Sequence, residues 1–113
     1  MRIAVIGSRN LDVKNLGEYL PCDCDEIVSG GAKGVDTSAA NFARESGIRL
    51  TEFLPDYEKY GRAAPIVRNR EIVDYADIVI AFWDGESRGT KHMIDLVKKH
   101  GLEVHVIKFK EKK

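Results

Sequence analysis

The chain has 113 residues, 43% hydrophobic and 32% charged, and its eighteen basic side chains balance eighteen acidic ones. That length leaves room for one core, so residues 1–113 are read as a single domain, and the composition excludes a disordered or fibrous chain. Zero net charge removes the basic excess on which nucleic-acid affinity usually rests, which weakens a DNA or RNA reading but leaves room for a local basic patch.

In chain order, Arg2–Ile6 is a β-branched run stopped at Gly7 and reads as the first strand. It is too short an apolar run for a signal peptide. No later run approaches the roughly 18 apolar residues of a membrane span, so the cytoplasm is the expected location, with no membrane partner. Leu11–Leu20 reads as a short helix ended by Pro21. Cys22 and Cys24 follow, one residue apart, with no third cysteine to form a disulfide framework and no histidine nearby. They read as surface or half-buried thiols, and no metal site is expected. Glu26–Ser29 is a weaker strand. From Val35 the apolar residues Ala39, Phe42 and Ala43 form one helical stripe, and Gly47 stops that helix.

Arg49–Phe53 is the third strand, and Pro55–Ala63 after it reads as the one long irregular stretch. Ala64–Tyr75 has helical spacing with Pro65 near its start, where the missing N–H costs little. Asp77–Phe82 is a second strong strand, followed by Trp83-Asp84-Gly85. Thr90–His100 is a helix with Met93, Ile94 and Val97 on one face, ended by Gly101. Glu103–Ile107 is the fifth strand, and the basic tail Lys108–Lys113 reads as a frayed end. The strong strands are almost wholly apolar, as in sheets covered on both faces. Alternation of strand and helix over short connections gives a Rossmann-like, three-layer α/β fold with a five-stranded parallel sheet. The order 3-2-1-4-5 is assumed for it.

Three strand-to-helix junctions carry glycine or small hydroxyl residues: Gly7-Ser8-Arg9-Asn10, Ser29–Asp36, and Asp84–Thr90. A helix N-terminus has unpaired N–H groups and partial positive charge, and glycine lets an anion come close to the backbone. Turns of this kind need glycine in any case, so one such loop decides nothing. In the assumed order all three converge on the crevice where open parallel sheets bind ligands. Neither G-x-G-x-x-G nor G-x-x-x-x-G-K-[ST] is present, which argues against a conventional NAD-dependent dehydrogenase or P-loop ATPase; no cofactor is expected.

In order and spacing, Gly7-Ser8-Arg9, then Ser29-Gly30-Gly31-Ala32-Lys33-Gly34-Val35-Asp36, then Arg68-Asn69, then Ala81-Phe82 with Gly85, Gly89 and Thr90, resemble one known superfamily. It groups DNA-processing protein A with the lysine-decarboxylase-like Lonely Guy phosphoribohydrolases and is called SLOG. The similarity runs from about Arg2 to Ile107 and is nearest to the small single-domain YspA/YpsA-related branch. The resemblance implies a ligand crevice for nucleotides or nucleotide derivatives, serving as a sensor or as an enzyme whose reaction it does not specify. Gly30, Gly31, Lys33 and Gly34 would belong to the anion loop after the second strand. Gly85, Ser87, Gly89 and Thr90 would form a phosphate cradle. Gly7, Ser8 and Arg9 would line the first-strand edge, and Arg68 and Asn69 would enter from the third helix. Homodimers occur among relatives of this size, so a homodimer is expected as an option.

Two alternatives follow from the same resemblance: a hydrolase that cleaves nucleoside monophosphates at the N-glycosidic bond, and a DNA-binding accessory domain. The phosphoribohydrolases follow their Gly-Thr with catalytic acidic residues, whereas here Lys91, His92 and Met93 follow Gly89-Thr90. The fourth-strand turn also departs, with Trp83-Asp84 where many relatives have a proline and a second glycine.

Asp36 reads either as a helix-terminus stabiliser or as a ligand for ribose or a neighbouring loop. Asp84 and Glu86 read as caps or solvated residues, or as substitute acids and bases. Trp83 could stack on a base or pack on Tyr57 or Tyr60, and His92 reads as exposed. Arg68 and Arg70 diverge on a helix, so only one can face a ligand; the resemblance implies Arg68, which fills the family's Arg-Asn pair. Arg68→Ala and Gly34→Val are the changes expected to weaken binding.

Overall fold

A computed structural model describes residues 1–9, 11–21, 23–31 and 34–108. Five strands, β1 (Arg2–Gly7), β2 (Glu26–Ser29), β3 (Arg49–Glu52), β4 (Ile78–Trp83) and β5 (Val104–Lys108), form one sheet ordered β3-β2-β1-β4-β5. Every pairing is parallel, with Ala4 opposite Val28 on one side of β1 and opposite Val79 on the other. The α/β class and the assumed strand order are both as expected.

Among the described residues four α-helices accompany the sheet: α1 (Val35–Ser46), α2 (Tyr57–Tyr60), α3 (Ala64–Tyr75) and α4 (Arg88–Lys99). Side chains alternate across each strand, so the sheet feeds two cores. Ile3, Val5, Ile27, Ile80 and Phe82 point to one face, under α1 and the segment around Leu11–Leu16. Ala4, Ile6, Val28, Val79 and Ala81 point to the other, under α3 and α4. That two-sided burial is why β1 and β4 read as unbroken apolar runs.

Two expected elements differ. Residues 11–20 hold only a 3-10 turn, Leu16–Tyr19, where a helix was expected. Leu11, Val13 and Leu16 are all buried, but their spacing of two and three never settles on a helical face. The Val13 N–H goes to Ser38 Oγ (3.0 Å) rather than to a carbonyl one turn back. Pro55–Ala63, expected to be irregular, contains α2 and a 3-10 turn at Gly61–Ala63. The Asp56 side chain caps α2 by accepting from Lys59 N at 3.1 Å. Elsewhere the differences lie at element ends. The helix expected from Thr90 starts at Arg88 because Ser87 supplies the N-cap, and Gly47 ends α1 in the left-handed conformation at φ 68°.

Candidate functional site

All the parallel strands end at one edge, and at that edge the chain turns from β1 toward β2 on one side and lies beside β4 on the other. An open α/β sheet leaves a crevice where its connections diverge in this way. Here the crevice encloses about 510 Å³ and is lined by Ile6, Gly7, Arg9, Gly30, Asp36, Pro65, Arg68, Asn69, Ile72, Ser87, Gly89, Thr90 and Met93.

Nine of the residues singled out from sequence are therefore gathered at one place: Gly7, Arg9, Gly30, Asp36, Arg68, Asn69, Ser87, Gly89 and Thr90. Ser8, Gly31, Gly34, Asp84 and Gly85 are not in the wall, and Lys33 lies outside the described residues, as do Cys22 and the tail beyond Lys108. The apolar wall of Pro65, Ile72 and Met93 went unselected as site residues. Helical spacing is the signal that could have found it, since Pro65, Arg68, Asn69 and Ile72 stand at i, i+3, i+4 and i+7 on α3. Met93 likewise stands four residues after Gly89.

The β4–α4 loop is held by its own side chains. Asp84 Oδ1 accepts from the N–H groups of Glu86 and Ser87, both at 2.8 Å. Ser87 Oγ accepts from Thr90 N at 3.3 Å and lies 3.1 Å from Thr90 Oγ1. Trp83 Nε1–H donates to Ser87 O at 3.0 Å, and the ring packs on the second core with Lys108 Nζ 5.9 Å from its centroid. No ring contact joins Trp83 to Tyr57 or Tyr60 among the described residues, so that alternative for Trp83 gives way to bracing of this loop. The N–H groups of Arg88 and Gly89, in the first turn of α4, take no acceptor among the described residues.

Ser8 is buried behind the wall. Its Oγ accepts from Asp84 N (3.3 Å) and lies 3.5 Å from Thr90 Oγ1, and its carbonyl accepts from the N–H groups of Leu11 and Val35. It ties the first and third glycine loops together. Gly34, the N-cap of α1, has φ 75°, and a Cβ there would strike the backbone carbonyls of Arg9 and Ser8. Its role is to let two loops touch.

On the opposite wall, Arg68 extends along Gly30. Nη1 donates to Gly30 O at 2.6 Å and Nε to Asn69 Oδ1 at 2.9 Å, and Arg68 forms no ion pair among the described residues. The two oxygens it donates to are both neutral, and guanidinium N–H donors are left over for an incoming anion. Arg70 and His92 are exposed and outside the crevice. Asp36 is buried in the first turn of α1 and faces the crevice. No cluster of three metal-ligating side chains occurs among the described residues.

The sequence reading missed one buried carboxylate, at the other end of the sheet. Glu26 Oε2 accepts from Thr51 Oγ1 (2.7 Å) and Tyr75 OH (2.5 Å), with Arg49 Nη1 4.0 Å from Oε1. Burial pushes its carboxyl up, but the Tyr75 and Thr51 hydrogen bonds and the Arg49 and Arg2 charges outweigh burial and hold it below the ordinary value. Cys24 is a half-buried free thiol, as expected, pushed up by burial.

The Gene 61 protein of Mycobacterium phage D29 is 38% identical to this chain over 84 residues, covering 69% of the chain and 67% of the phage protein. The chain belongs to the family of that Gene 61 protein. No protein-family model and no solved structure matches it. No helix among the described residues of this Gene 61 relative is long and apolar enough to cross a membrane.

Proposed function

We propose that this chain binds a phosphate-bearing nucleotide or nucleotide derivative in the crevice, as a domain of the SLOG type. The observation that carries the reading is Gly89. It sits in the first turn of α4 with an ordinary backbone conformation, and a Cβ added there would meet nothing within 4 Å. Packing does not require glycine, and glycine inside a helix costs roughly 1 kcal/mol against alanine. Gly89 lines the same crevice as Arg68 and Arg9, and its own N–H and that of Arg88 take no acceptor among the described residues. A bare backbone at a helix N-terminus, facing fixed cations, is what a phosphate group needs. The apolar wall of Pro65, Ile72 and Met93 suits the less polar part of such a ligand.

The test is a thermal-shift screen against nucleoside mono-, di- and triphosphates, cyclic nucleotides, NAD and ADP-ribose, with Arg68→Ala as the control. Stabilisation by one class, lost in Arg68→Ala, is the expected result. No shift with any compound would sink the proposal. The hydrolase reading draws on Asp36, the carboxylate in the crevice wall. Glycosidic cleavage ordinarily uses two carboxyl groups, and Asp84 is occupied with loop N–H groups. Binding is therefore preferred to turnover, and chromatography for free base after incubation with nucleotides separates the two.

A further inference from the structure

The segment between β3 and α3 is built unlike the rest of the molecule. Neither α2 nor the 3-10 turn after it buries a residue, although each end of the segment is anchored. Phe53 packs edge-on against Tyr75 with centroids 5.5 Å apart, and Ala64 is fully buried. Between those anchors the chain displays Leu54 at 63% exposure, Tyr57 at 58% and Tyr60 at 38%, with Ile66 just beyond at 50%. These are most of the large apolar side chains that the described residues expose. Concentrating them on one short strap is unfavourable unless something covers them.

The strap follows the crevice rim. Leu54 lies directly against Gly31, next to Gly30 in the wall, and Pro65 in the opposite wall begins α3. Tyr57 and Tyr60 stand at i and i+3 on the single turn of α2, so both rings leave from one face. Gly61, immediately after them, has φ 56° with open space around it. That conformation suits glycine and makes Gly61 a natural hinge. The strap's principal packing partners are α3 and the turn beside it, so it can move without opening either core.

Resting on the nucleotide reading above, we infer that residues 55–63 close over an occupied crevice and that Tyr57 and Tyr60 stack on the base of the ligand. The phosphate is held at the α4 terminus and Arg68, and the tyrosines select for an aromatic ring at the other end.

The experiment compares binding of the common nucleoside 5′-monophosphates with binding of ribose 5-phosphate, which has no base, by calorimetry. Wild type is expected to bind at least one monophosphate more tightly than ribose 5-phosphate. Tyr57→Ala/Tyr60→Ala is expected to weaken that monophosphate roughly 5- to 150-fold, the range for loss of a base–aromatic stack, and to leave ribose 5-phosphate unchanged. Tyr57→Phe/Tyr60→Phe is expected to keep the affinity. The bound monophosphate is also expected to slow tryptic cleavage after Lys59 and Arg62. Equal binding of both probes to wild type, or a double alanine variant with unchanged affinity, overturns the strap and leaves the nucleotide reading intact. Failure of wild type to bind any of these probes overturns both.

Discussion

Glycines that look alike in the sequence divide by what surrounds them. Gly34 is enclosed by the backbone of Arg9 and Ser8, so Gly34→Val is a folding variant and no test of binding. It is expected to lower stability by about 3 kcal/mol or more, since the clash is with backbone and φ is positive, as a shift in denaturant midpoint will show. Gly89 has the opposite surroundings. Gly89→Ala is expected to raise the melting temperature of the free protein, by up to about 1 kcal/mol of helix propensity, while weakening nucleotide binding. A variant that gains stability and keeps full binding would remove Gly89 from the site. Gly30 is intermediate, because a Cβ there would meet the Arg68 guanidinium at 2.5 Å, the mobile end of a long side chain. Gly30→Ala is therefore expected to displace Arg68 and reduce binding much as Arg68→Ala does, with stability within about 1 kcal/mol of wild type.

Among the elements, α3 is the one that links the two ends of the sheet. Its early turns place Pro65, Arg68 and Asn69 in the crevice wall, and its last residue, Tyr75, is hydrogen-bonded to buried Glu26 at the start of β2. The short α2 strap before it exposes what α3 does not bury. Trp83, the single tryptophan, braces the third side of the crevice through Ser87. Its fluorescence is expected to change when a ligand settles on the α4 terminus, and a titration with an otherwise stabilising nucleotide checks this. The element boundaries most at odds with the sequence reading, those at residues 11–20 and 55–63, fall where side-chain to backbone bonds decide the local conformation. Ser38 takes the Val13 N–H and Asp56 takes the Lys59 N–H. Neither partner choice is visible from hydrophobic spacing.

For the molecule as a whole, the Glu26 cluster makes stability depend on pH. The folded-state carboxyl lies below its unfolded value, so its contribution is complete above the ordinary glutamate range and is lost as pH falls through the folded value. Glu26→Gln is expected to cost about 1–3 kcal/mol at neutral pH and to flatten the acid limb of the stability curve, measured by denaturant unfolding from neutral to pH 3. An unchanged acid limb would mean that the Tyr75 and Thr51 bonds contribute nothing net. This cluster lies at the opposite end of the strands from the crevice, so the variant is expected to leave nucleotide affinity within about twofold if it stays folded.

Much of the fold was legible because it is local. The apolar runs of β1 and β4, the stripe of α1 with its Gly47 stop, and Pro65 at the start of α3 are each set by neighbours within a few residues. The convergence of the loops that carry Arg9 and Gly89 was legible only through an assumed strand order, which the parallel pairings now supply, and Arg68 only through the family resemblance. The sequence by itself determined the class of fold, the position of most elements and the glycine-rich junctions. Tertiary structure alone decided which junction residues face the crevice, which glycines are enclosed, and that Glu26 is buried. The physical reason is distance along the chain: Arg68 meets Gly30 across 38 residues, and Glu26 meets Thr51 and Tyr75 across 25 and 49. Such partners share no periodicity, and only the parallel crossovers of the sheet bring them within hydrogen-bonding reach.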